Sequence, residues 1–233
     1  MSRNFFAKTS LLALTLGAIA TSSVLNACST AAQNQAQAPS PTATDAGAMQ
    51  GMEHNNMGGM NHGSMVMDLG PADADFDLRF IDAMTPHHQG AVEMAKEAQQ
   101  KSKRPEIQKL AANIIKAQDK ELSQMKQWRQ AWYPQASAEP VAYNAQMKHS
   151  MPMSQDQRSG MMMSMDLGAA DNQFDRRFLN AMIPHHEGAV VMAKDALTKS
   201  KKPEIKKLAQ AIIVSQNAEI KQMQQWQQAW YKQ

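Results

Sequence analysis

The sequence predicts an all-α protein: a four-helix bundle built from two tandem helical-hairpin repeats, with disordered Met-rich segments. Three observations carry that expectation. Residues 67–133 recur as 165–231 at a constant offset of 98 without a gap, and roughly two thirds of the paired positions are identical. Within each copy, apolar residues return at steps of three and four, the period of a helix buried along one face. Outside the copies the chain is rich in Met, Gly, Pro and small polar residues and shows no such period.

Residues 1–27 read as an export signal. Arg3 and Lys8 supply a positive start, residues 11–20 a short apolar run, and small residues lead to Ala27. The run falls short of the ~20 apolar residues of a permanent membrane span. Cys28, the single cysteine, directly follows Leu25, Asn26 and Ala27. That box is lipoprotein-like and makes Cys28 the expected lipidation site, with ordinary cleavage and a free thiol as the alternative. No thiol is then left inside the folded body, so neither a disulfide nor a thiolate ligand is available there. The net charge of +3 includes Arg3 and Lys8, so the mature chain is near neutral. No basic patch for nucleic acid is implied.

Residues 28–66 form a tether. Its first part is Ala, Gln, Ser, Thr and Pro, with Pro39 and Pro41. Its second part holds the Met-x-x-Met pairs Met49 with Met52 and Met57 with Met60, and His54 and His62 lie beside them. This tract lacks a helical period and is expected to be disordered without a ligand.

In the repeat spanning 67–133, a first helix is expected over about residues 73–101. Phe76, Phe80, Met84, His87, Ala91, Met94 and Ala98 fall on one of its stripes. Pro105 suits the first position of a second helix, which carries Ile107, Leu110, Ile114, Gln118, Leu122, Met125 and Trp128 at helical spacing. Tyr133 and Pro134 end it. The short turn makes the two helices antiparallel neighbours. Residues 134–164 read as a Met-rich linker that includes His149, and the second repeat occupies 165–233. One hairpin cannot readily bury both stripes, so the two copies are expected to share a single pseudo-twofold bundle. Separate hairpin domains and swapped dimers are the alternatives. Trp128, Trp132, Trp226 and Trp230 are expected to seal one end.

The chemistry concentrates around one phrase. Met84-Thr85-Pro86-His87-His88 returns as Met182-Ile183-Pro184-His185-His186. A proline inside a helix removes an amide donor and costs about 3 kcal/mol or more, so a kink or broken turn is expected to open the bundle beside each histidine pair. Met84 stands three and four residues from His87 and His88, and Met182 likewise from His185 and His186, on the same helix face. Met94 and Met192 lie one to two turns further along. Folding each hairpin brings Met125, or Met223, close to the same level. Glu121 and Glu219 arrive there too and could hold an imidazole N–H, fixing the tautomer of a ligating histidine.

Thioethers are soft, uncharged ligands that protonation does not remove. They select Cu(I), while imidazole suits copper, zinc, iron and nickel. A Met/His set without cysteine therefore points to Cu(I), with Cu(II) as a second candidate at the histidines and Ag(I) as a chemical mimic. All seven histidines fall in the Met-rich tracts or the paired motif. Copper ions are thus the expected partners, with copper-efflux or copper-requiring proteins as further candidates and the membrane engaged only through a lipid anchor. Core packing is the competing explanation for the methionines on the helical stripes, and an adaptable apolar contact surface for those in the tracts.

The pattern Phe76-Asp77-x-Arg79-Phe80-x-x-Ala83-Met84-x-Pro86-His87-His88-x-Gly90-Ala91-Val92-x-Met94-Ala95, followed by Gln118-x-x-Glu121-x-x-x-Met125, resembles a bacterial domain-of-unknown-function family. That family is placed among ferritin-like helical bundles and has a periplasmic copper-binding member. The resemblance covers both repeats. It implies a four-helix bundle, copper binding and a role in copper resistance, with Met84, His87, His88, Met94, Met125, Met182, His185, His186, Met192 and Met223 as ligands. Asp82 becomes Asn180 and Gln89 becomes Glu187 in the second copy. A ferritin-like oxidase is the enzymatic alternative, but a di-iron site needs paired Glu-x-x-His motifs, and neither repeat contains one. A helical interaction module that binds no metal is the remaining alternative.

Overall fold

The computed structural model describes residues 67–232, all within one compact unit. The export signal, Cys28 and the tract containing Met49, Met52, His54, Met57, Met60 and His62 lie outside the described residues. Four long helices dominate: α1 (Phe76–Lys101), α2 (Pro105–Trp132), α4 (Phe174–Lys199) and α5 (Pro203–Tyr231). Between the two hairpins come β1 (Val141–Asn144), β2 (His149–Pro152) and the short α3 (Gln155–Met162). No helix among the described residues is long and apolar enough to cross a membrane.

Each long helix starts where local chemistry dictates. Pro105 and Pro203 occupy the first turns of α2 and α5, where a missing amide hydrogen costs nothing, and Glu106 and Glu204 favour the positive helix end. The turns before them are pinned by Ser102 and Ser200, whose hydroxyls accept from the amides of Arg104 and Lys202 at 3.1 Å. The lead-in segments to α1 and α4 are held by buried or half-buried arginines. Arg79 Nε donates to the Leu69 carbonyl at 2.7 Å, and Arg177 Nε to the Leu167 carbonyl at 2.6 Å. Gly70 and Gly168 turn these segments at φ near +76° and +75°, a conformation that favours glycine.

The core divides into two apolar clusters, and each mixes both repeats. The first joins Phe80 and Met84 of α1, Met125 of α2, Met192 and Ala196 of α4, and Ile205 and Ile212 of α5. The second joins Met94 and Ala98 of α1, Ile107 and Ile114 of α2, Phe178 and Met182 of α4, and Met223 of α5. The start of α1 therefore packs with the end of α4, and the reverse. Separate hairpin domains are ruled out for the described residues, because neither cluster is complete within one repeat. The same antiparallel arrangement corrects the expectation that all four tryptophans close one end. Trp128 and Trp132 stack at 5.1 Å against the first cluster, while Trp226 and Trp230 stack at 5.1 Å against the second. Lys202 lies 4.3 Å over Trp132 and Arg104 lies 4.2 Å over Trp230, so each pair is capped by a cation of the other repeat.

Two further expectations change. α1 runs without interruption through Pro86, and α4 through Pro184, so there is no broken turn and no opening at the histidines. Packing of these two inner helices, whose flanking residues are almost wholly buried, outweighs the lost amide donors. The linker is also folded rather than flexible. β1 pairs antiparallel with β2, with Val141 opposite Pro152 and Asn144 opposite His149. α3 begins with a capping box, Ser154 accepting from the Gln157 amide while the Gln157 side chain accepts from the Ser154 amide. Met153 and Met161 bury themselves in the first cluster, which tethers the whole segment to the bundle.

Candidate metal centre

Burial along α1 and α4 places His87, His88, His185 and His186 in the middle of the bundle, and none is more than 1% exposed. The two pairs meet across the pseudo-twofold relation. The rings of His87 and His185 lie with centroids 3.9 Å apart at an interplanar angle of 52°. His88 and His186 are each held from the neighbouring helix. His88 Nε2 donates to Glu121 Oε2 at 2.7 Å, and His186 Nε2 to Glu219 Oε2 at 2.8 Å. A carboxylate only accepts, so these bonds place an imidazole proton on Nε2 and leave Nδ1 turned away from the glutamate. In both residues that Nδ1 is buried without a partner.

The central pair is poised in a similar way. His185 Nε2 donates to the Met162 carbonyl at 3.1 Å, leaving its Nδ1 unpartnered. His87 has no hydrogen-bond partner at either ring nitrogen. Burial, and then repulsion from His186 and His88, lowers His185 from 6.5 to about 3. Burial, and then His185, His88 and His186, holds His87 well below its usual value. Both rings are therefore neutral at pH 7, the form that ligates a metal.

Buried polar groups are almost always paired, so imidazole nitrogens that find no protein partner and gather in one place are donors a metal ion could use. Gln118 and Gln216 add buried carbonyl oxygens that also lack partners. They lie one turn before Glu121 and Glu219. Gln118 entered the sequence reading as a helix-stripe position and as part of the family pattern, not as a site residue; a polar residue at the same apolar-stripe position in both repeats was the available signal. Among the described residues, no group of three or more His, Cys, Asp and Glu side chains is arranged to hold a metal ion. What the centre offers instead is buried imidazole nitrogen on helices that also bury Met84, Met94, Met182 and Met192, and imidazole with thioether is a soft donor set that fits Cu(I) and Ag(I) better than hard divalent ions.

Met84, Met94, Met125, Met182, Met192 and Met223 are all buried. Their grouping differs from the one read along the sequence. Met84 and Met125 share a cluster with Met192, while Met94 joins Met182 and Met223. Antiparallel packing of α1 on α4 exchanges Met94 and Met192 between the repeats. His149 is not drawn into the centre. It sits exposed on β2, where its Nδ1 meets the Ser150 carbonyl at 3.0 Å. A further group at the centre comes from α3 and was not singled out in the sequence. The Met162 backbone packs so tightly on Gly90 that a Cβ there would overlap its carbonyl, and Met163 approaches Gly188.

The profile of one family, Domain of unknown function (DUF305), matches residues 22–129 and again 77–227. The chain belongs to the DUF305 family. Solved structures of CopM are similar to it over 66% of this chain and 97% of theirs. The Cu(I)-bound form is 43% identical with a TM-score of 0.52, and the Cu(II)-bound form 46% identical with a TM-score of 0.53. A silver-soaked form of CopM is 42% identical with a TM-score of 0.53. An uncharacterized protein, L153 of Acanthamoeba polyphaga mimivirus, is 49% identical over 49 residues, so this chain spans 32% of that relative's length. The DUF305 match covers both repeats, and the Pro-His-His phrase lies within each.

Proposed function

We propose that this chain binds Cu(I) through histidine and methionine and buffers or sequesters it outside the cytoplasm, contributing to copper resistance or homeostasis. The observation that carries the reading is the cluster of four buried imidazoles, each with an unpartnered ring nitrogen, on helices that also bury Met84, Met94, Met182 and Met192. Copper- and silver-bound forms of the similar CopM support the choice of metal. Cu(II) is a second guest at the histidines. The export-signal pattern of residues 1–27 and the position of Cys28 support a lipid-anchored site in the periplasm or cell envelope. The tract around Met49, Met52, His54, Met57, Met60 and His62 would supply additional soft donors.

The test is competitive titration of the purified mature protein under reducing conditions, with Cu(I) set against Zn(II) and Fe(II). Tight Cu(I) binding, weakened when His87, His88, His185 and His186 are replaced by glutamine, is the expected result. Indifference to Cu(I), or a preference for iron with oxygen consumption, would overturn the reading.

A further inference from the structure

We propose that Met67, Met161, Met163 and Met165 form a thioether vestibule that takes a soft monovalent cation from solvent and passes it to His87. The proposal rests on the copper-binding reading and adds the route by which the ion arrives. These four methionines line a cavity of about 510 Å³, which Ala181 and Pro184 of α4 also line. Three separate stretches contribute them: the lead-in to α1, the end of α3 with its cap, and the lead-in to α4. None of the residues lining the cavity is charged. Such a lining favours a polarisable monovalent ion over a hard divalent one.

Exposure falls inward. Met165 is 60% exposed, Met67 and Met163 are half-buried, and Met161 is 3% exposed. An arriving ion would meet methionines of graded exposure. Met163 is the link to the histidines. It caps α3 at φ +44°, a left-handed conformation that costs a non-glycine residue about 1 kcal/mol. In that conformation its Sδ lies 4.0 Å from the point where a Cβ on residue 188 would sit, and His87 Nε2 lies 3.2 Å from the same point. Glycine at 188 thus leaves sulfur and imidazole open to each other. Among the four central histidines, His87 alone has both ring nitrogens unpartnered, so the route ends on a free lone pair.

The experiment uses the full chain, Ag(I) as a redox-inert probe, and NMR of ¹³C-methyl methionine together with the imidazole C–H signals. The methyl signals of Met67, Met161, Met163 and Met165 are expected to move with the first silver added, ahead of His87. Replacing all four with leucine is expected to remove one silver ion from the bound total, with helical circular dichroism retained. Gly188→Ala suits a helix but fills the shared space. It should slow the arrival of silver at His87 about tenfold and leave the four methyl shifts intact. If those methyls stay still while His87 moves, the vestibule is wrong and the copper-binding reading survives. Silence at every signal would overturn both. Wild-type loading of His87 in Gly188→Ala would overturn the hand-over. Should the leucine variant misfold, the wild-type titration still decides.

Discussion

A histidine that must stay neutral inside a folded protein makes that protein sensitive to acid. In the unfolded chain, His87 and His185 take up a proton near pH 6.5, whereas in the bundle His185 resists until about pH 3 and His87 lies well below its usual value. Between those limits the unfolded state binds more protons, so stability is full above pH 6.5 and drains away as the pH falls toward 3. The melting temperature of the metal-free protein is expected to drop across this window. The double variant His87→Gln, His185→Gln should show a shallower decline, and equal slopes in the two proteins would contradict the assignment. Glu121 and Glu219 were placed near the histidines by helical arithmetic alone, and the observed bonds to His88 and His186 agree. The arithmetic succeeded because both partners sit within a single hairpin.

Among the elements, the folded linker is the main addition to what periodicity suggested, and a single substitution between the repeats accounts for part of it. Asp82 is buried, accepts from Arg129 at 2.6 and 3.1 Å, and accepts from the Val141 amide at 2.9 Å, so one carboxylate fastens β1 to both α1 and α2. Its counterpart Asn180 is exposed and pairs with Gln227 at 2.7 Å. Arg129→Met leaves the Asp82 charge buried and short of partners, and is expected to destabilise the fold by about 3 kcal/mol. Gln227→Met should cost no more than about 0.5 kcal/mol. Chemical denaturation of the two variants measures the difference; similar losses would remove Asp82 from its anchoring role. A hairpin held by one carboxylate from a distant helix has no signature in its own local sequence, which is why residues 134–164 read as a linker.

For the whole molecule, each apolar cluster needs helices from both repeats. The hairpin 67–133 alone would expose half of each cluster, and isolated helices of this kind draw most of their stability from tertiary packing. That fragment is expected to be largely unfolded by circular dichroism at 25 °C, and to gain helix when mixed with 165–233. A cooperatively folded monomeric fragment would show that the hairpin is self-sufficient. The candidate metal centre shares this dependence, since the His87–His185 contact spans the two repeats.

The duplicated pattern by itself determined the four helices, their pairing into hairpins and the family, because helical period and proline position are local properties. Only the tertiary structure decided that α1 runs straight through Pro86, that Met94 and Met192 change sides, and that α3 closes over the central imidazoles. Each of those outcomes depends on what an element packs against. A period of 3.6 residues fixes which face is buried, not which partner buries it.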